Sequence, residues 1–172
     1  ESWERAGSTV VFAITIGTDT AWTILAIEDK LKETSKLAIE KLKSLGIEPV
    51  LLTGDNENTA RKIAGQVGIQ KVFASLLPED KAKSIVSLKA EGKRVAMAGD
   101  GINDAPAIAS ADIGIAMGTG TDVAIETAGV VLVKGDLLRL IDVIRISRGT
   151  VRNIRQNFFW ALCYNAIGIP IA

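Results

Sequence analysis

The 172 residues contain no histidine and a single cysteine, Cys163. The first absence removes zinc sites of the usual histidine-rich kinds, and the second rules out an internal disulfide while leaving the redox compartment open. Net charge is missing too: 20 Lys and Arg stand against 20 Asp and Glu, so the bulk balance gives no reason to expect a nucleic-acid partner. That zero is a cancellation between two parts. From Leu137 onward there are five arginines and one acid, Asp142, which leaves 15 basic and 19 acidic residues before it. A leader is also lacking. The chain begins at Glu1 without a Met or a charged-then-apolar stretch and stops at Ala172 inside an apolar run, so both ends are expected to be cuts in a longer polypeptide.

What is present suits one folded domain. A hydrophobic content of 48% with 23% charged residues fits a globular chain of this length. Residues 9–16 and 22–27 are β-branched runs separated by Gly17-Thr18-Asp19-Thr20, which reads as a hairpin. The period then changes. Leu31, Ser35, Ala38, Ile39, Leu42 and Leu45 recur at helical spacing up to Gly46, and Ile47 to Leu52 reads as a short strand, so residues 22–52 are expected to form a βαβ unit. Helices are expected from about Asn58 to Val67, after Pro78-Glu79-Asp80, and around Thr121 to Ala128. Strands are expected at Lys71–Ala74, Arg94–Ala98, Ile113–Met117 and Val130–Val133. Such alternation argues for an α/β fold with a parallel sheet, in which ligands gather at the carboxyl ends of the strands.

Two strand ends carry acids. Met97-Ala98 runs into Gly99-Asp100-Gly101-Ile102-Asn103-Asp104-Ala105-Pro106, where Gly101 permits a tight backbone and Asp104 falls near a helix start, a place that favours an anion. A hard cation such as Mg²⁺ takes one or two carboxylates together with phosphate and water. Asp100 suits that role directly, and Asp104 directly or through a neighbour. The plain alternative is a Gly-Asp-Gly turn followed by an Asp helix cap. Thr53-Gly54-Asp55-Asn56 ends a second strand and offers a hydroxyl and backbone N–H groups to a phosphoryl oxygen, or else merely caps the next helix through Asp55 or Asn56. Lys81, on the first turn of a helix, can set an ammonium against a phosphoryl group, or can be one more solvated Lys in Glu-Asp-Lys-Ala-Lys.

A strand-end hydroxyl, a Lys and a Gly-Asp-x-x-x-Asp loop, in that order, form the haloacid-dehalogenase arrangement. Thr53-Gly54-Asp55, Leu77-Pro78-Glu79-Asp80-Lys81, Gly99 to Pro106 and Gly118-Thr119-Gly120-Thr121-Asp122-Val123-Ala124 closely resemble the phosphorylation domain of P-type ATPases, over residues 25–155. The resemblance implies a Rossmann-like α/β domain using Mg²⁺ and ATP. Asp100 would bind Mg²⁺ and Asp104 support it, while Thr53 and Lys81 would hold the phosphoryl group. Gly54 shares the Thr53 motif, Asp55 would help position the domain that hydrolyses the phosphoenzyme, and Asn103 would orient these groups. One part is missing: the family's phosphorylated Asp lies in Asp-Lys-Thr-Gly-Thr, which this chain does not contain, and neither Asp29-Lys30 nor Asp19 has that context. The nucleophile is expected upstream, with most of the nucleotide site, so that this chain alone would hydrolyse nothing.

The expected layout is the end of a nucleotide-binding domain at 1–24, the phosphorylation domain at 25–135, a stalk at 136–156 and a truncated membrane helix at 157–172. Residues 1–156 would lie in the cytoplasm. About 20 apolar residues span a bilayer and fewer are present, so a buried amphipathic helix stays open as the alternative. Arg139, Arg145, Arg148, Arg152 and Arg155 nonetheless form the collar expected on the cytoplasmic side of a lipid bilayer. Asn157, Tyr164-Asn165 and Pro170 are similar to the pattern of copper and silver pumps in the heavy-metal class. That implies Cu⁺ or Ag⁺ as cargo, with Tyr164 and Asn165 on the ion path. Cys163, though a soft ligand type, lies outside that pattern and is expected to pack. A zinc or cadmium pump, a soluble phosphatase of the same fold and a remnant without activity are the rivals.

Overall fold

A computed structural model describes residues 10–15, 22–27, 31–100, 102–118 and 122–171. Strands β1 (Val10–Thr15) and β2 (Trp22–Ile27) pair antiparallel in full register, Val10 opposite Ile27. The expected turn at 17–20, Asp19 and Asp29-Lys30 lie outside the described residues. Because β2 pairs with β1, residues 22–52 do not form the expected βαβ unit. The parallel unit begins one strand later, with β3 (Val50–Leu52) beside β4 (Lys71–Phe73). β3 is shorter than the expected 47–52. The Ile47 N–H returns to the Leu42 carbonyl as part of a helix end, and Pro49 has no N–H to give a ladder.

Helix α1 (Glu33–Ser44) buries Ala38, Ile39 and Leu42, the stripe read from its period. Helix α2 (Glu57–Val67) starts where the Asn56 side chain accepts from the Thr59 N–H at 3.0 Å, and stops at Gly68 in the left-handed conformation, φ 82°, that glycine adopts without a Cβ penalty. Helix α3 (Pro78–Ala90) opens on a proline, whose missing N–H costs nothing in a first turn. Three further parallel strands, β5 (Ala96–Gly99), β6 (Ile113–Met117) and β7 (Val130–Leu132), form one sheet in the order β5-β6-β7. A 3₁₀ turn (Ile102–Asp104) and α4 (Ala105–Ser110) connect β5 to β6, and α5 (Asp122–Thr127) connects β6 to β7. The fold is α/β with parallel sheets, as the alternation of periods indicates.

Two apolar clusters hold these layers. Ile85 of α3, Met97 of β5, Ala107 and Ile108 of α4 and Ala116 of β6 make the first, and Leu52 at the end of β3 packs against it. Leu52 thereby ties the two strand ends that carry acids to one core. The second joins Ile39 and Leu42 of α1 and Val67 of α2 to Ile141 of α6 (Leu138–Ile171), a single 34-residue helix. The expected stalk and the start of the expected membrane segment are thus one continuous helix, unbroken at 156–157. Among the described residues, no helix is long and apolar enough to cross a membrane. Beyond Gln156, Phe158, Trp160, Leu162 and Tyr164 of α6 are all exposed.

Candidate functional site

The loop after β3 closes on itself. The Thr53 N–H donates to the Phe73 carbonyl, extending the ladder one residue past the strand. The Thr53 hydroxyl donates to Asp55 Oδ2 at 2.9 Å and its oxygen accepts from the Asp55 N–H at 3.1 Å. The loop after β4 completes the frame: the Ser75 N–H donates to the Asp55 carbonyl at 2.7 Å and the Leu76 N–H to the Thr53 carbonyl at 3.1 Å. Ser75 does this in the left-handed region, φ 54°, which a non-glycine residue seldom adopts. A Cβ at Gly54 would come within 3.3 Å of the Leu76 carbonyl oxygen, so glycine lets the two loops lie close together. Of the two cap candidates it is Asn56 that caps α2, leaving the Asp55 carboxylate to Thr53. Sequence reasoning missed Ser75 and Leu76, because a left-handed serine carries no glycine to mark it.

The loop after β5 is arranged differently. Asp104 occupies the N-cap position of α4, but its side chain makes no cap bond there. Its Oδ1 accepts instead from Lys81 Nζ at 2.7 Å, with the two side chains 14% and 16% exposed. At that distance this is a charge-assisted hydrogen bond in a partly desolvated place. Lys81 is therefore not the solvated lysine of its run. Lys83 fills that description, 72% exposed and paired to Asp80 within its own helix. Glycine is required before the acid: a Cβ at Gly99 would stand 2.6 Å from Asp104 Cβ and 2.8 Å from Oδ2. The Asp104 carboxylate thus overhangs bare backbone at the end of β5. Asp100 and Asn103 are exposed, and among the described residues no partner engages the Asp100 carboxylate. Gly101 and Thr119–Thr121 lie outside the described residues.

The structure therefore joins Lys81 to Asp104 and Thr53 to Asp55, and leaves Asp100 and Asn103 open to solvent beside the first pair. Tyr164 and Asn165 stand apart, exposed on the distal part of α6, and Cys163 is half-buried there. Among the described residues no group of three His, Cys, Asp or Glu is placed to hold a metal.

A second cluster went unread in the sequence. Lys32 Nζ donates to the Gly135 carbonyl at 2.8 Å, and the Thr34 hydroxyl and the Leu138 N–H both donate to Asp136 Oδ1 at 3.0 Å. The Leu138 N–H, helped by the Thr34 hydroxyl and by Arg139 and Lys32, holds the Asp136 carboxyl below the usual carboxylate range. These bonds clasp the start of α1 to the start of α6. Residues about a hundred positions apart show no periodicity that would link them.

Residues 1–112 match the family model of haloacid dehalogenase-like hydrolases. The chain belongs to that family. Within it, the heavy-metal P-type ATPases read from the motifs are its relatives across the full length. It is 51% identical over 172 residues to the copper-exporting P-type ATPase of Bacillus subtilis, and 57% identical over 169 residues to the copper-transporting ATPase 1 of Mus musculus. All of this chain and 98% of it, respectively, are matched, but it spans only 21% and 11% of those relatives. Its fold superimposes on a crystal structure of a zinc-transporting PIB-type ATPase with a TM-score of 0.86 at 45% identity, covering 96% of this chain and 27% of that one.

Proposed function

We propose that the chain is the phosphoryl-handling part of an ATP-driven pump that exports monovalent copper or silver through an aspartyl-phosphate intermediate, with the phosphorylated Asp elsewhere in the longer protein. The observation that carries this reading is the Lys81–Asp104 pair beside Asp100 at the end of β5, which has no partner among the described residues. A partly buried ammonium fixed by a carboxylate, next to an exposed carboxylate that no described residue engages, suits a group that is both anionic and metal-bound. Lys81 gives one of its three donors to Asp104, which leaves two for phosphoryl oxygens. Asp104 sets where that charge stands. The Thr53 hydroxyl, donated to Asp55 in this structure, needs only a bond rotation to donate to a phosphoryl oxygen.

Asp100 would hold Mg²⁺, which when bound neutralises phosphoryl charge during transfer. The residues fit that ion. Mg²⁺ keeps several waters and needs only one or two protein carboxylates, and the exposed Asp100 carboxylate, which no described residue engages, can meet it from solvent. Asp104 would stand in support and Asn103, on the 3₁₀ turn, would orient the loop. ATP would bind mainly through the upstream domain, of which 1–24 would be the end. Residues 25–135 would be the phosphorylation domain, 136–156 the stalk in the cytoplasm and 157–172 the beginning of a helix in the lipid bilayer, with Tyr164 and Asn165 on the ion path.

Copper is favoured by the Bacillus and mouse relatives, a copper-exporting and a copper-transporting ATPase. Zinc is the second reading, favoured by the zinc-transporting neighbour in structure. The test is phosphoenzyme formation from labelled ATP in membranes carrying the complete protein, comparing Cu⁺ with Zn²⁺. The expected result is a hydroxylamine-labile, Cu⁺-dependent label that Asp100→Asn abolishes. A Zn²⁺-dependent label would change the cargo, full labelling of Asp100→Asn would remove the assignment of that residue, and no label with either metal would favour a soluble phosphatase.

A further inference from the structure

Ser75, in the link between β4 and α3, is the non-glycine residue at positive φ among those described, at 54°. Its side chain takes no part in the packing of that link: it is exposed, and its hydroxyl makes no hydrogen bond to another described residue. The conformation aims the backbone instead. An extended residue would send successive N–H groups to opposite sides, whereas those of Ser75 and Leu76 both meet the β3 loop, at the Asp55 carbonyl (2.7 Å) and the Thr53 carbonyl (3.1 Å). The same link ends on Leu77, whose carbonyl accepts from the N–H groups of Asp80 at 3.0 Å and Lys81 at 3.2 Å in the first turn of α3. Along the chain, Thr53 and Lys81 are separated by all of α2 and β4. Through the Leu76 bond they are joined by one short link and one helical turn.

We propose that Ser75 is a positioning residue for the phosphoryl group, acting through its backbone to set the spacing between the Thr53 hydroxyl and the Lys81 ammonium. The inference rests on the phosphoryl roles given above to those two groups. Donors aimed in advance at a charged group need no reorganisation when it arrives, and a misplacement of about 1 Å can cost on the order of a hundredfold in rate. Each donor is steadied separately, Thr53 by Asp55 and Lys81 by Asp104. Neither of those bonds relates one donor to the other. The link through Ser75 does so directly. A left-handed serine carries a Cβ penalty that glycine would not, and such backbone persists where its surroundings over-determine it. Here the surroundings are the bonds from the Thr53 N–H to the Phe73 carbonyl, from Ser75 to Asp55 and from Leu76 to Thr53, all of which run between the β3 and β4 ends.

The experiment is the rate of phosphoenzyme formation from labelled ATP in membranes carrying the complete protein, in variants that separate backbone from hydroxyl. Ser75→Thr keeps the hydroxyl but branches at Cβ, which positive φ disfavours, and should label about tenfold more slowly. Ser75→Gly loses the hydroxyl but adopts the conformation freely, and should label within about twofold of the unmodified protein. A double-mutant cycle then tests the route of the effect. In a Thr53→Ala background no spacing is left to set, since Lys81 keeps its bond to Asp104, so adding Ser75→Thr should slow labelling by less than about twofold. The same tenfold fall in both backgrounds would overturn the inference in favour of a merely structural turn. A slow Ser75→Gly beside a normal Ser75→Thr would overturn it in favour of the hydroxyl, and this pair of variants decides even where Ser75→Thr folds poorly, because Ser75→Gly must still label. Thr53→Ala labelling at the unmodified rate would remove the phosphoryl role of Thr53 itself, and the inference with it.

Discussion

The loops after β3 and β5 carry acids at equivalent places in the fold and use them in opposite ways. At the end of β3, Thr53 and Asp55 satisfy one another, and backbone N–H groups of Ser75 and Leu76 fix both of their carbonyls. At the end of β5, Asp104 reaches another helix for its partner and Asp100 has none among the described residues. The first loop is a frame whose only adjustable part is a hydroxyl proton. The second is a frame on one side and an open carboxylate on the other. A site that must exchange ligands repeatedly needs both: one wall that does not move when the ligand leaves, and one group whose charge is uncompensated until the ligand arrives.

The contrast can be broken most forcefully at Asp104. Asp104→Ala leaves the Lys81 ammonium partly buried and unpaired, and should destabilise the chain by about 2–4 kcal/mol in urea unfolding. Asp100→Asn, in the same loop, should leave the unfolding midpoint unchanged. Equal losses at the two positions would erase the distinction drawn between them. Gly99→Ala and Gly54→Ala sharpen the comparison with identical chemistry at the two strand ends. The first drives a Cβ to 2.6 Å from Asp104 and should cost roughly 1–3 kcal/mol, while the second meets a carbonyl at 3.3 Å and should cost about 0.5 kcal/mol. Asn56→Ala removes the cap that anchors the β3 loop to α2 and should lower stability by about 1 kcal/mol.

Two smaller effects test the surroundings. The folded-state Asp136 carboxyl lies below its unfolded value near 3.9, so its contribution is fully present above that value and is lost as pH falls through the folded one. A pH titration of stability should therefore be shallower below about pH 4 in Asp136→Asn than in the unmodified chain. The smallest effect is expected at Thr59, 4% exposed, whose hydroxyl is the buried side-chain polar atom without a partner among the described residues. Thr59→Val should be neutral or stabilising by up to about 1 kcal/mol, since it removes an unsatisfied group and keeps the shape.

Much of this fold was legible from period and punctuation. Gly68 ends α2 as a residue free to turn left-handed, and Pro78 opens α3 as first-turn proline should. Ile113–Met117 was read without error, because it is an apolar run bounded by Asp112 before it and Gly118 after it. The misread region is 22–52. Its alternation of strand, helix and strand is local, while the choice of partner for β2 depends on β1, and β-branched runs do not encode which neighbour they pair with. At the site, the residue types were legible at Thr53, Lys81, Asp100 and Asp104, but the pairings were not. Nothing in the spacing of Lys81 and Asp104, 23 positions apart, distinguishes a partly buried ion pair from a solvated lysine and a helix cap.

The clasp made by Lys32, Thr34 and Asp136 gives α6 the mechanics of a lever. Thirty-four residues at 1.5 Å each make an arm roughly 51 Å long, gripped just before its first turn by the start of α1 and exposed along its far half. A tilt of about ten degrees at the gripped end would carry the far end some 9 Å sideways, on the order of a helix diameter. Sub-ångström changes at the strand ends could be read out as displacements the size of a whole secondary-structure element. Two hydrogen bonds to one carboxylate oxygen, with a lysine across the neighbouring carbonyl, make up that grip.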